Sequence, residues 1–257
     1  VKRSQGMEMN SAETTQNRWF VLVFVAAAIA FLVLLAIDVA GVGRTVLKAI
    51  PVGTLMVLVL RDMRGFVRVC LAGAMLGSLC GDILLDLPSQ SLFIFGLLAF
   101  LIAHLFYNVL FFRYAKSPDG NEKVIMAGLV FFAVVMIWLF RGITPALYGP
   151  VVVYIVVIIA MSIGALLVPS ENRLLLWGAF LFVASDFVLA VNKFLMTIPH
   201  GRVVNITLYF IAQFVIIMAA RSIWGGRKMR PVVRTLSPVI SIPMWRPMMA
   251  NWPRVIS

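Results

Sequence analysis

Eight long apolar runs dictate what this chain can fold into. They cover Trp19–Ala40, Val46–Leu60, Val67–Leu87, Ser91–Phe112, Val124–Phe140, Tyr148–Val168, Leu174–Phe194 and Val203–Ile223, most of a 257-residue sequence. A helix needs ~20 predominantly apolar residues to cross the hydrocarbon of a bilayer. All of the runs except Val46–Leu60 come close to that length. With 62% hydrophobic and only 12% charged residues, against about 25% charged in soluble domains, a water-soluble core would have nothing left to face water. A soluble globular fold is therefore excluded. The predicted class is all-α: a polytopic membrane protein of eight transmembrane helices.

Lysine and arginine orient the spans, because cytoplasmic loops carry them in excess. The N-terminal segment, the Arg61–Arg68 turn, the Arg113–Lys123 loop, Arg173 and the C-terminal residues hold 17 of the 22 basic residues. The opposite side holds Arg44, Lys48, Arg141 and Arg202, and Lys193 lies inside a span. Both termini are thus expected in the cytoplasm. This gives a cytoplasmic segment 1–18, a transmembrane domain 19–224 and a basic, proline-containing tail 225–257. The net charge of +12 follows from this asymmetry and from a tail suited to anionic headgroups, so no nucleic-acid partner is expected. Cys70 and Cys80 do not form a disulfide framework.

Ionisable groups inside hydrocarbon cost at least ~2.5–3.5 kcal/mol on insertion scales, so each demands a reason. Asp82 lies well inside the third run and Asp186 inside the seventh. They follow Arg68 and Arg173 by 14 and 13 residues, about 20 Å of helix, so their depths match and they can share one pocket. His104, Tyr107 and Asn108 fall on one face of the fourth run, and Tyr209 and Gln213 on one face of the eighth. Ser78, Asp82 and Asp86 share a stripe of the third run. Gly73, Gly77 and Gly81 recur at the spacing that lets helices approach closely, which is compatible with a homodimer. Gly81-Asp82 is echoed by Ser185-Asp186, and Phe100 to His104 by Tyr209 to Gln213, four crossings later; a parallel four-helix repeat is the expectation. Lys193 stands two turns from Asp186 toward the surface, and Lys48 heads the second run. Both suit snorkelling or an anionic headgroup about 10 Å above the carboxylates.

Taken together, Lys48-x-x-Pro51, Gly81-Asp82, His104 with Tyr107, Ser185-Asp186-x-x-x-Ala190-x-Asn192-Lys193-Phe194 and Tyr209-x-x-Ala212-Gln213 resemble the lysoplasmalogenase (YhhN-like) family of multipass membrane proteins. The resemblance implies an eight-helix fold, no organic cofactor and a lysophospholipid substrate taken from membrane lipid; no metal is expected, since no His-x-x-x-His pair or cysteine cluster appears. The implied reaction is hydrolysis of the vinyl ether of 1-alkenyl lysophosphatidylethanolamine or -choline to a fatty aldehyde and a glycerophospho-base. The implied location is the endoplasmic reticulum in a eukaryote or the inner membrane in a bacterium. Asp86 and the basic tail lie outside the matching pattern.

A vinyl ether is cleaved by protonating its terminal alkene carbon, adding water to the resulting oxocarbenium ion and collapsing the hemiacetal. Two carboxyl groups in one low-dielectric pocket can divide that work, one giving a proton while the other stays charged. Asp82 and Asp186 are the expected catalytic pair. His104 is expected to orient a carboxylate or the water, Tyr107, Tyr209 and Gln213 to bond the glycerol or the water, and Lys48, Asn192 and Lys193 to take the phosphate. A metal-dependent hydrolase using His104 with the aspartates is one alternative. A proton-coupled transporter, which also needs intramembrane acids, is another.

Overall fold

The structure, a computed structural model, describes residues 2–87 and 90–225, with side chains from residue 18 onward outside 88–91. Eight helices run in sequence: α1 Lys2–Ala36, α2 Val42–Asp62, α3 Gly65–Asp86, α4 Gln90–Arg113, α5 Gly120–Leu139, α6 Pro145–Leu167, α7 Leu174–Phe194 and α8 Gly201–Trp224. A 3₁₀ turn, Phe140–Gly142, follows α5. Each helix contains a stretch long and apolar enough to cross a membrane, and no strand occurs among the described residues. The basic tail lies outside the described residues.

The helices pack around an apolar core that includes Phe31, Leu55, Leu71, Phe111, Phe182 and Ile216. The most extensive packing joins α3 to α4 and α7 to α8, and small residues explain both pairs. At Gly77 a Cβ would come within 2.9 Å of the Ala99 carbonyl oxygen, and at Gly178 within 3.1 Å of the Ile216 amide nitrogen. Any side chain there would hold the backbones apart. The Gly73, Gly77 and Gly81 stripe therefore faces α4 of its own chain and is not available as a face for a second copy.

The helix α2 departs most from its sequence outline. It starts at Val42 rather than Val46, and Arg44 and Lys48 are buried within it. Hydropathy ends the apolar run early because both side chains are cations. The fold neutralises them with acids on α3. Arg44 meets Asp86 at 3.2 Å and Lys48 meets Asp82 at 3.2 Å, two rungs one turn apart on antiparallel helices. Thr45 also donates to Asp86, at 2.6 Å, and Arg202 of α8 approaches the same carboxylate at 3.5 Å. This Asp86 end of the bundle gathers the starts of α2 and α8 with the finish of α3.

At the opposite end, the loop between α4 and α5 is tied down around Glu122, which takes Lys116 at 2.9 Å and Arg173 at 3.6 Å. Asp119 and Glu122 form a reciprocal capping box at the start of α5. The Glu122 amide that Asp119 accepts holds its carboxyl below the ordinary carboxylate range.

Candidate active site

Between α5, α6 and α7, near the first turns of α4, lies a groove enclosing about 580 Å³ of empty space, its open mouth included. Its walls are aliphatic and aromatic: Phe93, Phe132, Met136, Ile155, Phe187 and Phe194 are among them. Asp186 and Tyr154 interrupt this lining. The Tyr154 hydroxyl donates to Asp186 Oδ2 at 2.6 Å and lies 3.0 Å from His104 Nε2. His104 Nε2 is itself 3.5 Å from Asp186 Oδ2. One tyrosine from α6 thus bridges an acid from α7 and an imidazole from α4. With Tyr154 donating to the carboxylate, Nε2–H is the donor to the phenol oxygen. The outer ring nitrogen, Nδ1, rests 3.3 Å from Met161 Sδ.

Asp82 belongs to a second cluster. Lys48 Nζ pairs with its Oδ1 at 3.2 Å and also donates to its backbone carbonyl at 3.1 Å, and Tyr209 donates to its Oδ2 at 2.7 Å. One turn along, the Tyr107 hydroxyl donates to Gln213 Oε1 at 2.7 Å, and Gln213 Nε2 donates to Ser78 at 2.8 Å. These bonds tie α2, α3, α4 and α8 together without opening onto the groove. Burial separates the two acids: the Asp82 side chain is 2% exposed and that of Asp186 16%.

The sequence expectation of two carboxylates facing one cavity gives way to two clusters joined through aromatic rings. Tyr209 packs edge-on against Phe182, with centroids 5.5 Å apart, and Phe182 packs edge-on against His104 at 4.7 Å. Equal depth is what the sequence carries. The direction each acid faces depends on how its helix is rotated against its neighbours, and Lys48 claims Asp82.

The other expected residues divide in the same way. His104 stands in the Asp186 cluster. Tyr107, Tyr209, Gln213 and Lys48 stand in the Asp82 cluster, so Lys48 is committed to a buried ion pair rather than to the surface. Asn192 accepts the Ile198 amide at 2.8 Å and shapes the turn between α7 and α8. Lys193 lies exposed, its Nζ 4.7 Å from the ring centroid of Phe93, at the rim of the groove that Phe93 lines. Beside these, Ser185 and Asn205 clasp α7 to α8 through bonds of 2.8–3.0 Å, and Asn108 bonds the Val157 carbonyl across to α6 at 2.9 Å.

Tyr154 was not legible beforehand. Its signal is a hydroxyl in the middle of a span with no acid, base or histidine of its own, at a depth where an aromatic belt residue has no business. Among the described residues, no three His, Cys, Asp or Glu side chains converge as a metal site.

The YhhN family profile matches residues 43–220, which takes in every residue of both clusters. The chain belongs to the YhhN family. Its similarity to members of known name is extensive. It is 27% identical over 223 residues to "Lysoplasmalogenase TMEM86B" of Mus musculus, covering 85% of this chain and 95% of that one. To the Sus scrofa protein of the same name it is 30% identical over 216 residues, covering 84% and 90%. A protein of Mycobacterium bovis named "Lysoplasmalogenase" is 36% identical over 131 residues, about half of each chain. No solved structure matches. Within this YhhN protein, the groove with its acid-tyrosine-histidine cluster is a concave site that combines a titratable group with an apolar lining.

Proposed function

We propose that this chain hydrolyses the vinyl ether bond of lysoplasmalogens, releasing a fatty aldehyde and a glycerophospho-base. The observation that carries the reading is one carboxyl group, Asp186, set into the wall of an otherwise apolar groove, in a chain whose relatives are named lysoplasmalogenases.

In this reading Asp186 gives its proton to the terminal alkene carbon, and the ether oxygen's lone pair closes the oxocarbenium ion. The carboxylate left behind faces that cation in a site of low dielectric, where the attraction is strong. Water then adds to the cationic carbon and its proton returns to Asp186. The hemiacetal collapses, the glycerol oxygen leaving with a proton, and one water is consumed overall. Tyr154 and His104 hold the carboxyl in place. Asp82 acts by positioning: its ion pair with Lys48 fixes Tyr209, and Tyr209 fixes Phe182 against His104.

The spacing of the substrate supports Lys193 as the partner of the phosphate. Seven bonds separate the protonated carbon from phosphorus, about 8 Å at the ~1.2 Å per bond of an extended chain. Lys193 follows Asp186 by seven residues, about 10 Å along α7 and nearly on the same face. With both termini in the cytoplasm, this reading has the headgroup at the non-cytoplasmic face of the multi-pass membrane protein, in the endoplasmic reticulum of a eukaryote or the inner membrane of a bacterium.

The test is aldehyde release from a defined 1-alkenyl lysolipid by the purified chain and its variants. Asp186→Asn is expected to lose at least about 100-fold in kcat, the scale of general acid catalysis. Tyr154→Phe is expected to lower kcat and shift the pH–rate profile, because the hydroxyl that holds the Asp186 carboxyl is lost while the acid remains. Asp82→Asn is expected to lower kcat less and to keep the high-pH limb of that profile, where a general acid loses its proton. A folded Asp82→Asn protein that loses kcat as fully as Asp186→Asn, and whose residual rate lacks that limb, would transfer the acid role to Asp82. Wild-type protein that releases no aldehyde, yet carries solutes into proteoliposomes, would overturn the reading.

A further inference from the structure

The groove is too short to enclose the substrate's hydrocarbon chain. Along α7 its lining runs from Phe194 at the Asp86 end down to Val183, and along α6 from Val151 to Ile159. Below the reacting groups, Val183 lies three residues past Asp186 and Ile159 five past Tyr154. That leaves about 5–8 Å of groove at ~1.5 Å per residue. A lipid chain spanning one leaflet of a ~30 Å hydrocarbon layer needs about 15 Å. With the vinyl ether at Asp186 and the headgroup toward the Asp86 end, half of the chain or more has nowhere to go inside the protein.

The walls differ in how firmly they are held. The helix α6 backs the groove and is the most enclosed of the eight, whereas α5 is the least buried by the rest of the chain. The main packing of α5 is against α6. Toward α7 it offers Phe132, whose ring sits 6.2 Å from that of Phe187, and beyond its end Phe140, 6.2 Å from Phe194. All four aromatics line the groove. Phe132 and Phe187 are half-buried, while Phe140 is sealed. At the level of Asp186 the flank between α5 and α7 therefore carries an edge-on pair of half-buried rings, Phe132 and Phe187.

Granted the vinyl ether hydrolase reading, on which this rests, we infer that the substrate enters and sits sideways. Its alkenyl chain passes between Phe132 and Phe187 and stays in the lipid while the headgroup end is held in the groove. Selectivity then follows. The site reads the first few carbons beyond the vinyl group and is indifferent to what lies farther along the chain. A closed pocket would behave otherwise, since an enclosing site discriminates ~10–200-fold for one methylene.

The experiment uses the full wild-type chain in mixed micelles at fixed surface fraction of lipid. Three 1-alkenyl lysophosphatidylethanolamines are compared: a medium chain, a long chain, and the long chain carrying a pyrene at its far end. Aldehyde release from all three is expected within about threefold in kcat/KM. Loss of about tenfold or more on the pyrene lipid, or a comparable fall between medium and long chains, is the behaviour of an enclosing site and would overturn sideways binding while leaving the hydrolase reading intact. Failure to cleave the unlabelled lipids would overturn the hydrolase reading and sideways binding with it.

Discussion

Replacing Lys48 with methionine should be among the most damaging single changes in the bundle, and replacing its partner as well should repair most of the harm. The ammonium and the Asp82 carboxylate are 3.2 Å apart, with side chains 4% and 2% exposed. Removing one member of such a pair strands the other charge and costs about 3–5 kcal/mol, whereas removing both is often nearly neutral. Lys48→Met is thus expected to lower the folded-to-unfolded ratio by roughly two to three and a half orders of magnitude, at ~1.4 kcal/mol per decade. In Lys48→Met/Asp82→Asn the amide oxygen still accepts the Tyr209 hydroxyl and no charge is buried alone, so most of the loss should return. The second contact of the ammonium, to the Asp82 carbonyl, is missing from both variants and cancels between them. Equilibrium unfolding in mixed micelles, followed by tryptophan fluorescence, supplies the free energies for a double-mutant cycle. Coupling below about 1 kcal/mol, the scale of an exposed pair, would refute the ion pair as the bond between α2 and α3.

Two further outcomes test other joints of the fold. Gly77→Leu is expected to part α3 from α4 against the Ala99 carbonyl and to cost about 1–3 kcal/mol, as overpacking does, measured in the same unfolding assay. The Asp119 carboxyl is held below its ordinary range by the Glu122 amide, so its contribution is complete above the unfolded value near ~3.9 and fades as pH falls through the folded one. Protection of the amides in the first turn of α5, taken relative to their intrinsic exchange rates, should therefore fall in acid and be full at neutral pH; protection that does not change with pH would contradict the cap.

The spans were readable because lipid imposes one requirement on every crossing, an unbroken apolar length, and seven of the eight runs meet it. At α2 that rule fails for a physical reason. Arg44 and Lys48 are acceptable in the interior because Asp86 and Asp82 meet them there, and the partners lie 42 and 34 residues away in sequence. The depths of Asp82 and Asp186 could be counted along the chain, since rise per residue is constant. Their facing directions could not, because eight mutually packed helices set each rotation together. Tyr154 escaped for a related reason: it has no polar neighbour one turn away on α6, and its meaning comes from α4 and α7.

The two rungs between α2 and α3 bear on how the chain is made. Leaving the translocon alone, α2 would carry two bare cations into lipid within its first two turns, each opposing insertion by less than the ~2.5–3.5 kcal/mol such a group costs at the centre of a span. Its hydropathy is the joint lowest of the eight, shared with α3, whose own acids raise the same obstacle. The two segments solve it for each other, and entering lipid together as a hairpin removes the obstacle for both.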